Sequence, residues 1–117
     1  MKTRIIAVRH AQGEGNLLRE FHGQYNSDLT ELGLLQAECT AQFLKDVKID
    51  KAYSSDILRA RQTSEIIARE LGLEIEFNPL LRELNKGILT GMNKKEANYK
   101  WMTQFYGCFL KCQIFLH

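Results

Sequence analysis

Five polar residues fall at predicted strand ends or in the segments beside them, and together they suit the binding of an oxyanion. Arg9 and His10 directly follow a short apolar run, and Asn16 lies in the glycine-containing loop that comes next. Arg59 lies in the first turns of a predicted helix, and Glu83 follows the last predicted strand. Two guanidinium groups beside an imidazole favour phosphate, because each planar guanidinium donates two parallel hydrogen bonds to its oxygens.

The surroundings of His10 predict a nucleophile. Two nearby positive charges disfavour the imidazolium and lower its pKa, so the ring is expected to stay neutral near physiological pH and to attack phosphorus directly. Arg9 and Arg59 would then balance the charge that collects on the phosphoryl oxygens in the transition state. Glu83 could protonate the leaving oxygen and later activate water. The residues themselves therefore indicate phosphoryl transfer through a histidine.

The elements that must position these residues alternate between strand and helix. Strands are predicted at residues 4–8, 51–54 and 73–77, and the first is expected to be buried on both faces. A long loop is predicted at residues 11–28. The pattern is typical of an α/β domain with a mostly parallel sheet flanked by helices. Ligands bind at the carboxyl ends of such strands, where the arginine and histidine of the first strand lie.

Two helices separate the predicted strands. The first runs over residues 31–46 with Thr30 as its N-cap, and the second begins after a cap at Ser55 or Asp56 and ends at Gly72. Large apolar side chains at spacings of three and four predict the faces that point inward. In the first helix these are Leu32, Leu35, Cys39, Phe43, Leu44 and Val47. In the second they are Leu58, Ile66, Ile67 and Leu71.

The composition excludes several classes of function. A chain of 117 residues fits one globular domain, and a formal net charge of +2 does not mark a nucleic-acid-binding protein. The odd number of cysteines, three, and the lack of a recognisable signal peptide favour a cytoplasmic location. Lys100 and Lys111 interrupt the apolar C-terminal segment, so no membrane span is expected.

Four segments of the sequence resemble the histidine phosphatase superfamily, which has the phosphoglycerate mutase-like fold. The stretch VRHAQGEGN at residues 8–16 resembles its Arg-His-Gly signature, with Ala11 where the family more often has glycine. Three further matches follow in the family's order: SDLTELGLLQA at residues 27–37, YSSDILRARQTSEII at 53–67 and LLRELNKGILTGM at 80–92. The resemblance extends over residues 3–97.

The resemblance implies a role for each of the five polar residues. His10 would be the nucleophile that becomes phosphohistidine, and Glu83 would be the proton donor. Arg9 and Arg59 would hold the phosphoryl group, with assistance from Asn16. The implied substrate is a small phosphorylated metabolite, and no metal or other cofactor is expected.

More than one activity fits this resemblance. The stretch SSDILRARQT at residues 54–63 and the segment from Glu83 to Gly91 are similar to the phosphatases of the family. The stretch HGQYNSDLTELG at residues 22–33 is similar to its mutases. Hydrolysis of a phosphomonoester is the preferred interpretation, with phosphoglycerate mutase-type transfer as the alternative. A third interpretation is a remnant that binds phosphate without useful catalysis.

The C-terminal part of the sequence departs from the family. The family completes its site with a second histidine in a Ser/Gly-His-Gly-like stretch, which this sequence lacks. Residues 1–98 are therefore interpreted as the N-terminal part of the domain, with the C-terminal part missing, and residues 99–117 as an atypical aromatic-rich tail. The absence of later strands would expose a sheet edge, which the aromatic tail could cover or through which the chain could self-associate.

The remaining candidates for chemistry are expected to be unimportant. His22 lies in the long loop and His117 ends the chain, and neither is expected to replace the second histidine of the family. Cys108 and Cys112 lie near His117 in the tail. Three ligands are fewer than the four that structural zinc requires, so no metal site is predicted there.

Overall fold

The computed structural model of the chain describes residues 2–17, 26–83 and 93, together with the backbone of residues 113–116. The strands in these ranges are β1 (Ile5–Val8), β2 (Lys51–Ser54), β3 (Ile75–Phe77) and β4 (Gln113–Leu116). The helices are the single turn α1 (Glu14–Leu17) and the longer α2 (Glu31–Leu44) and α3 (Leu58–Leu71). Pro79–Leu81 form a 3₁₀ turn after β3.

The strands form one sheet in the order β1-β4-β2-β3. β2 and β3 pair in parallel, with Ala52 beside Ile75. β4 pairs antiparallel with both β1 and β2, so Leu116 lies opposite Ile5 on one side and opposite Lys51 on the other. β1, β2 and β3 therefore run in the same direction, which confirms the predicted α/β fold with a mostly parallel sheet. The exception, β4, lies in the tail, for which the sequence predicted no element.

The core lies between one face of the sheet and the helices α2 and α3. It is built on Ala41, Leu44, Ala52 and Ile67, and Ile6 and Val8 of β1 are among the partly buried residues around it. The prediction that β1 is buried on both faces is wrong, because Ile5 is 62% exposed. Successive side chains of a strand point to opposite faces, and the two longer helices pack on the Ile6 and Val8 side. Self-association at a sheet edge stays a prediction.

Helix α2 begins where the sequence predicts but turns a different face inward. Thr30 caps it, and its hydroxyl accepts a hydrogen bond from the backbone N–H of Gly33 over 3.0 Å. The predicted inward residues are mostly on the outside, with Phe43 81% exposed. Those exposed are Leu32, Leu35, Cys39 and Phe43. Leu44 is buried as predicted, and the other buried residues of the helix are Gly33, Ala37 and Ala41. Small residues allow α2 to lie close to α3 and to the loop after β1, and this packing overrides the pattern of large apolar residues.

Helix α3 ends as predicted and begins differently. Gly72 at its C-terminus has a φ of +66°, a left-handed conformation that favours glycine. At the other end the N-cap is Ile57, whose side chain makes no capping hydrogen bond, so the predicted cap at Ser55 or Asp56 is wrong. The Ser55 hydroxyl instead accepts a hydrogen bond from the Ile57 N–H over 3.3 Å. The amide oxygen of Asn26, from another segment, accepts one from Leu58 N–H.

Several predictions lie outside the described residues. They concern His22, Cys108, Cys112, His117 and the boundary after residue 98. In the part of the chain that is described, no helix is long and apolar enough to cross a membrane.

Candidate active site

His10 and Arg59 lie together at the carboxyl end of the sheet. His10 follows β1 by two residues, and Arg59 is in the first turn of α3, shortly after β2. The Nε–H of Arg59 donates a hydrogen bond to Nε2 of His10 over 3.4 Å. Both side chains are buried, with Arg59 only 2% exposed and His10 9% exposed. The two residues are 49 positions apart in the chain, so the contact depends on the βαβ connection that brings the strand ends together.

Two contacts define the tautomer of His10. Its Nδ1 lies 2.7 Å from the carbonyl oxygen of Ala11, which can only accept, so Nδ1 carries the hydrogen. Its Nε2 faces the Nε–H of Arg59, which can only donate, so Nε2 presents a lone pair. The ring in this arrangement is a neutral imidazole with its basic nitrogen directed at a guanidinium. This lone pair can attack phosphorus once a bound anion takes the Arg59 Nε–H away from it.

Glu83 reaches the same cluster through Arg59. The Nη2 of Arg59 lies 2.9 Å from Oε2 of Glu83, and the Glu83 side chain is 9% exposed. Burial lowers the pKa of the Arg59 guanidinium below its usual value, and the charge and hydrogen bond of Glu83 oppose this shift. Because a charge removed from water needs a partner, the carboxylate and the guanidinium stabilise each other's charged forms.

The loop that carries His10 is held by side chains of both longer helices. The N–H of Ala11 donates to Oγ1 of Thr63 in α3 over 3.1 Å, and the Thr63 hydroxyl donates to the carbonyl of Arg59 over 2.7 Å. The N–H of Gln12 donates to Oε1 of Gln36 in α2 over 2.9 Å. The backbone that directly follows the histidine therefore has a fixed position relative to α2 and α3.

Arg9, His10 and Asn16 line one open cavity of about 350 Å³, together with Gln12 and Gln36. The Oδ1 of Asn16 accepts a hydrogen bond from the N–H of Gly13 over 3.0 Å, which orients its amide group. The cavity is large enough for a phosphoryl group and part of a small ligand. The structure therefore brings three of the five predicted residues to one cavity, and Arg59 and Glu83 join them through His10.

Sequence reasoning did not identify the two glutamines. Gln12 comes two residues after His10, and Gln36 lies within the matched segment at residues 27–37. The amide oxygen of Gln36 accepts from the Gln12 N–H, and the amide oxygen of Gln12 accepts from the Thr30 hydroxyl. Such contacts leave no periodic signal in a sequence. Two features of the sequence could have indicated these glutamines. Gln12 is close to the histidine motif, and Gln36 is close to the capped start of α2.

A larger depression elsewhere on the molecule holds none of the five residues. Its volume is about 450 Å³, and residues at the amino ends of β2 and β3 line it, including Asp50, Lys51 and Glu74. Because ligands of parallel sheets bind at the carboxyl ends, the cavity beside His10 is the better candidate for an active site.

This fold and cluster define an α/β protein in which a histidine, an arginine and a glutamate are in contact at the carboxyl end of the sheet. The sequence matches the histidine phosphatase superfamily (branch 1) over residues 5–111, and the chain belongs to that family. The resemblance found in four segments of the sequence is thereby confirmed.

Curated relatives carry the names of mutases. The chain is 44% identical over 89 residues to the probable phosphoglycerate mutase GpmB of Photorhabdus laumondii, covering 76% of this chain and 41% of the relative. It is 38% identical over 106 residues to the 2,3-bisphosphoglycerate-dependent phosphoglycerate mutase of Methylocella silvestris, covering 86% of this chain and 52% of the relative. The chain thus spans about half the length of the curated relatives it matches.

A solved structure with a similar fold carries the name of a phosphatase. It is a mycobacterial glucosyl-3-phosphoglycerate phosphatase in complex with VO3, with a TM-score of 0.80 and 27% sequence identity. The match covers 86% of this chain and 50% of that one. Relatives of both activities therefore share this half of the fold.

Proposed function

We propose that the protein hydrolyses phosphomonoesters of small metabolites through a phosphohistidine at His10. The observation that carries this proposal is the lone pair of His10 Nε2, which faces the buried guanidinium of Arg59 at 3.4 Å. Membership of the histidine phosphatase superfamily supports the same chemistry. Neither a metal nor another cofactor enters the proposed reaction.

The first half of the reaction transfers the phosphoryl group to the protein. His10 Nε2 attacks phosphorus, a P–N bond forms, and the P–O bond to the leaving alcohol breaks. Arg9 and Arg59 bind the phosphoryl oxygens, whose negative charge they balance in the transition state, and Asn16 assists them. Glu83, protonated from solvent once it is freed from Arg59, gives that proton to the leaving oxygen. Binding of the phosphoryl group to Arg59 competes with the Arg59–Glu83 ion pair, so substrate binding would release the carboxyl group for this role.

The second half of the reaction restores His10. Glu83 accepts a proton from a water molecule, whose oxygen attacks phosphorus as the P–N bond breaks. The products are inorganic phosphate and neutral imidazole. Each proton that Glu83 donates in the first half is recovered in the second, so the cycle balances without another reactant.

The names of the curated relatives favour mutase chemistry as a second candidate. Relatives at 38% and 44% identity are named phosphoglycerate mutases. In that reaction the phosphoryl group leaves His10 for a hydroxyl of a phosphorylated acid rather than for water. The fate of a phosphoryl group carried by the protein distinguishes the two reactions. Its release as inorganic phosphate in buffer alone supports hydrolysis. Its transfer only to added phosphoglycerate supports the mutase.

A third candidate is phosphate binding in the cavity lined by Arg9, His10 and Asn16 without useful turnover. Labelling with a phosphoryl donor tests all three. Hydrolysis and mutase chemistry both require a label that is stable in alkali and labile in acid, present in wild type and in a His22→Ala control but lost in His10→Ala. Phosphate binding without any label would favour the third candidate. Equal labelling of His10→Ala and wild type would show that the nucleophile is misassigned.

A further inference from the structure

A second ion pair joins the same two segments that the buried Arg59–Glu83 pair joins. The Nε of Arg82 donates to Oδ1 of Asp56 over 2.6 Å, and its Nη2 donates to Oδ2 of the same carboxylate. This bidentate pair lies nearer the surface, with the Arg82 side chain 41% exposed. Asp56 precedes Arg59 by three residues, and Arg82 directly precedes Glu83. Two parallel ion pairs therefore connect the start of α3 to residues 82 and 83.

The backbone at Arg82 explains why its contact matters for Glu83. Arg82 has an extended conformation, with φ −62° and ψ 147°. These angles are close to polyproline II, in which successive side chains are rotated by about 120° and so project in different directions. When the Arg82 side chain is held at the surface by Asp56, the Glu83 side chain points inward to Arg59.

The order of the charges also favours one alignment of residues 82 and 83 against the start of α3. On the α3 side the acid, Asp56, comes first and the base, Arg59, second, whereas on the facing segment the base comes first. A shift of the facing segment that brought Arg82 to Arg59, or Glu83 to Asp56, would place like charges together. Like-charge contacts disfavour an alternative arrangement more strongly than the loss of one exposed pair would.

We propose that Asp56 and Arg82 are positioning residues that hold the carboxyl group of Glu83 at the leaving-group side of His10. The proposal rests on the proposed function for the role of Glu83 in proton transfer. It adds two residues that touch neither the phosphoryl group nor His10 and that act by fixing the direction of the Glu83 side chain.

The bidentate contact persists over the pH range in which activity would be measured. The hydrogen bond from Arg82 lowers the pKa of the Asp56 carboxyl below its usual value, and the charges of Arg82 and Arg61 act in the same direction. Asp56 is therefore ionised at neutral pH. Asp56→Asn therefore removes an ion pair that is already formed at the pH of the assay.

The test compares substrates that differ in their need for an acid. An alkyl phosphate requires protonation of its leaving oxygen, whereas p-nitrophenyl phosphate releases a stable phenolate without it. We expect Asp56→Asn and Arg82→Gln to lower kcat/KM on the alkyl phosphate about tenfold, part of the roughly 10²- to 10⁴-fold that a positioned general acid contributes. The kcat/KM on p-nitrophenyl phosphate should change little, because it reports phosphoryl transfer to His10 and not the later attack of water, which Glu83 assists for both substrates. Asp56→Glu should restore part of the loss.

Glu65→Gln is the matched control, because it removes a carboxylate from another exposed ion pair of α3, Arg61–Glu65 at 3.5 Å. It should leave both substrates unaffected. An equal loss of kcat/KM on both substrates in Asp56→Asn would indicate a general structural defect and would overturn the proposal. If Asp56→Asn does not fold, Arg82→Lys provides the second variant, since lysine keeps the charge and loses the bidentate geometry.

A measurement without turnover separates this proposal from the proposed function. The Nε–H of Arg59 gives its own resonance in ¹⁵N-labelled full-length chain, and its solvent exchange reports how well the cluster excludes water. We expect exchange about tenfold faster in Asp56→Asn and Arg82→Gln than in wild type and Glu65→Gln. Unchanged exchange would contradict the positioning role even if His10 proves to be the nucleophile. Wild type that hydrolyses neither substrate would instead contradict the proposed function.

Discussion

Gly33 lies so close to the backbone of Gln12 that a Cβ atom added to Gly33 would come within 2.1 Å of the Gln12 carbonyl oxygen. The same carbonyl accepts a hydrogen bond of 3.0 Å from the N–H of Thr30, the N-cap of α2. The first turn of α2 therefore rests directly on the loop that follows His10. Glycine at position 33 leaves the space that this contact needs.

Gly33→Ala should displace this loop. The added methyl group meets backbone rather than a flexible side chain, so we expect a loss of about 1–3 kcal/mol in the free energy of unfolding, as for other overpacked sites. Labelling of His10 should slow by about 10²-fold, since misplacement of a reacting group by about 1 Å has effects of that size. Urea denaturation and the labelling rate measure the two effects. Glu38→Ala, on the exposed side of α2, is the control, and equal behaviour of the two variants would contradict the prediction.

Arg59→Gln should destabilise the protein strongly. The substitution removes the guanidinium from a buried ion pair with Glu83, which costs about 3–5 kcal/mol for buried pairs of this kind. Changing both Arg59 and Glu83 to glutamine should cost less than the sum of the two single changes. Urea denaturation of all four proteins at neutral pH gives the coupling free energy. Single effects that add to within about 0.5 kcal/mol would show that the pair is not energetically coupled.

Much of the site could be predicted because its chemistry depends on residue types at strand ends. Arg9 and His10 interrupt an apolar run, and the alternation of strands and helices determines which edge of the sheet they share with Arg59. The roles assigned to these side chains stay predictions, but their proximity in the structure is what the pattern implies. Local signals were similarly sufficient at Thr30 and Gly72, where capping depends on one residue's own conformational preference.

What the sequence did not predict depends on contacts between distant segments. The inward face of α2 follows from close packing of small residues such as Ala37 and Ala41, whereas periodicity assigns burial to large apolar residues such as Phe43. Strand β4 forms through pairing with β1 and β2, more than 50 positions away in the chain, and its own residues show no strand pattern. Hydrogen bonds such as Gln12 to Gln36 likewise depend on the final packing.

The Asp56–Arg82 pair should make stability depend on pH in the acid range. Since the folded protein has a lowered Asp56 pKa, the carboxylate stabilises it above the unfolded pKa of about 3.9. That contribution is lost as the pH falls through the folded pKa. The difference in unfolding free energy between wild type and Asp56→Asn should therefore be constant above about pH 5 and shrink at lower pH. Urea denaturation between neutral pH and pH 2.5 measures it, and a difference that grows on acidification would refute the assignment.

Removal of residues 113–117 should release β1 from the sheet. Among the described residues β4 is the strand that pairs with β1, and it separates β1 from β2 in the sheet order. Without it the amides of β1 lose their partner strand, whereas β2 keeps β3. We expect hydrogen exchange of the β1 amides to accelerate at least about tenfold, with a smaller change in β3, because exchange reports local opening of each segment.

Deletion of His117 alone is the control. Because Arg9 and His10 directly follow β1, the deletion should also slow labelling of His10, and unchanged protection of β1 would mean that β4 does not hold this strand in place.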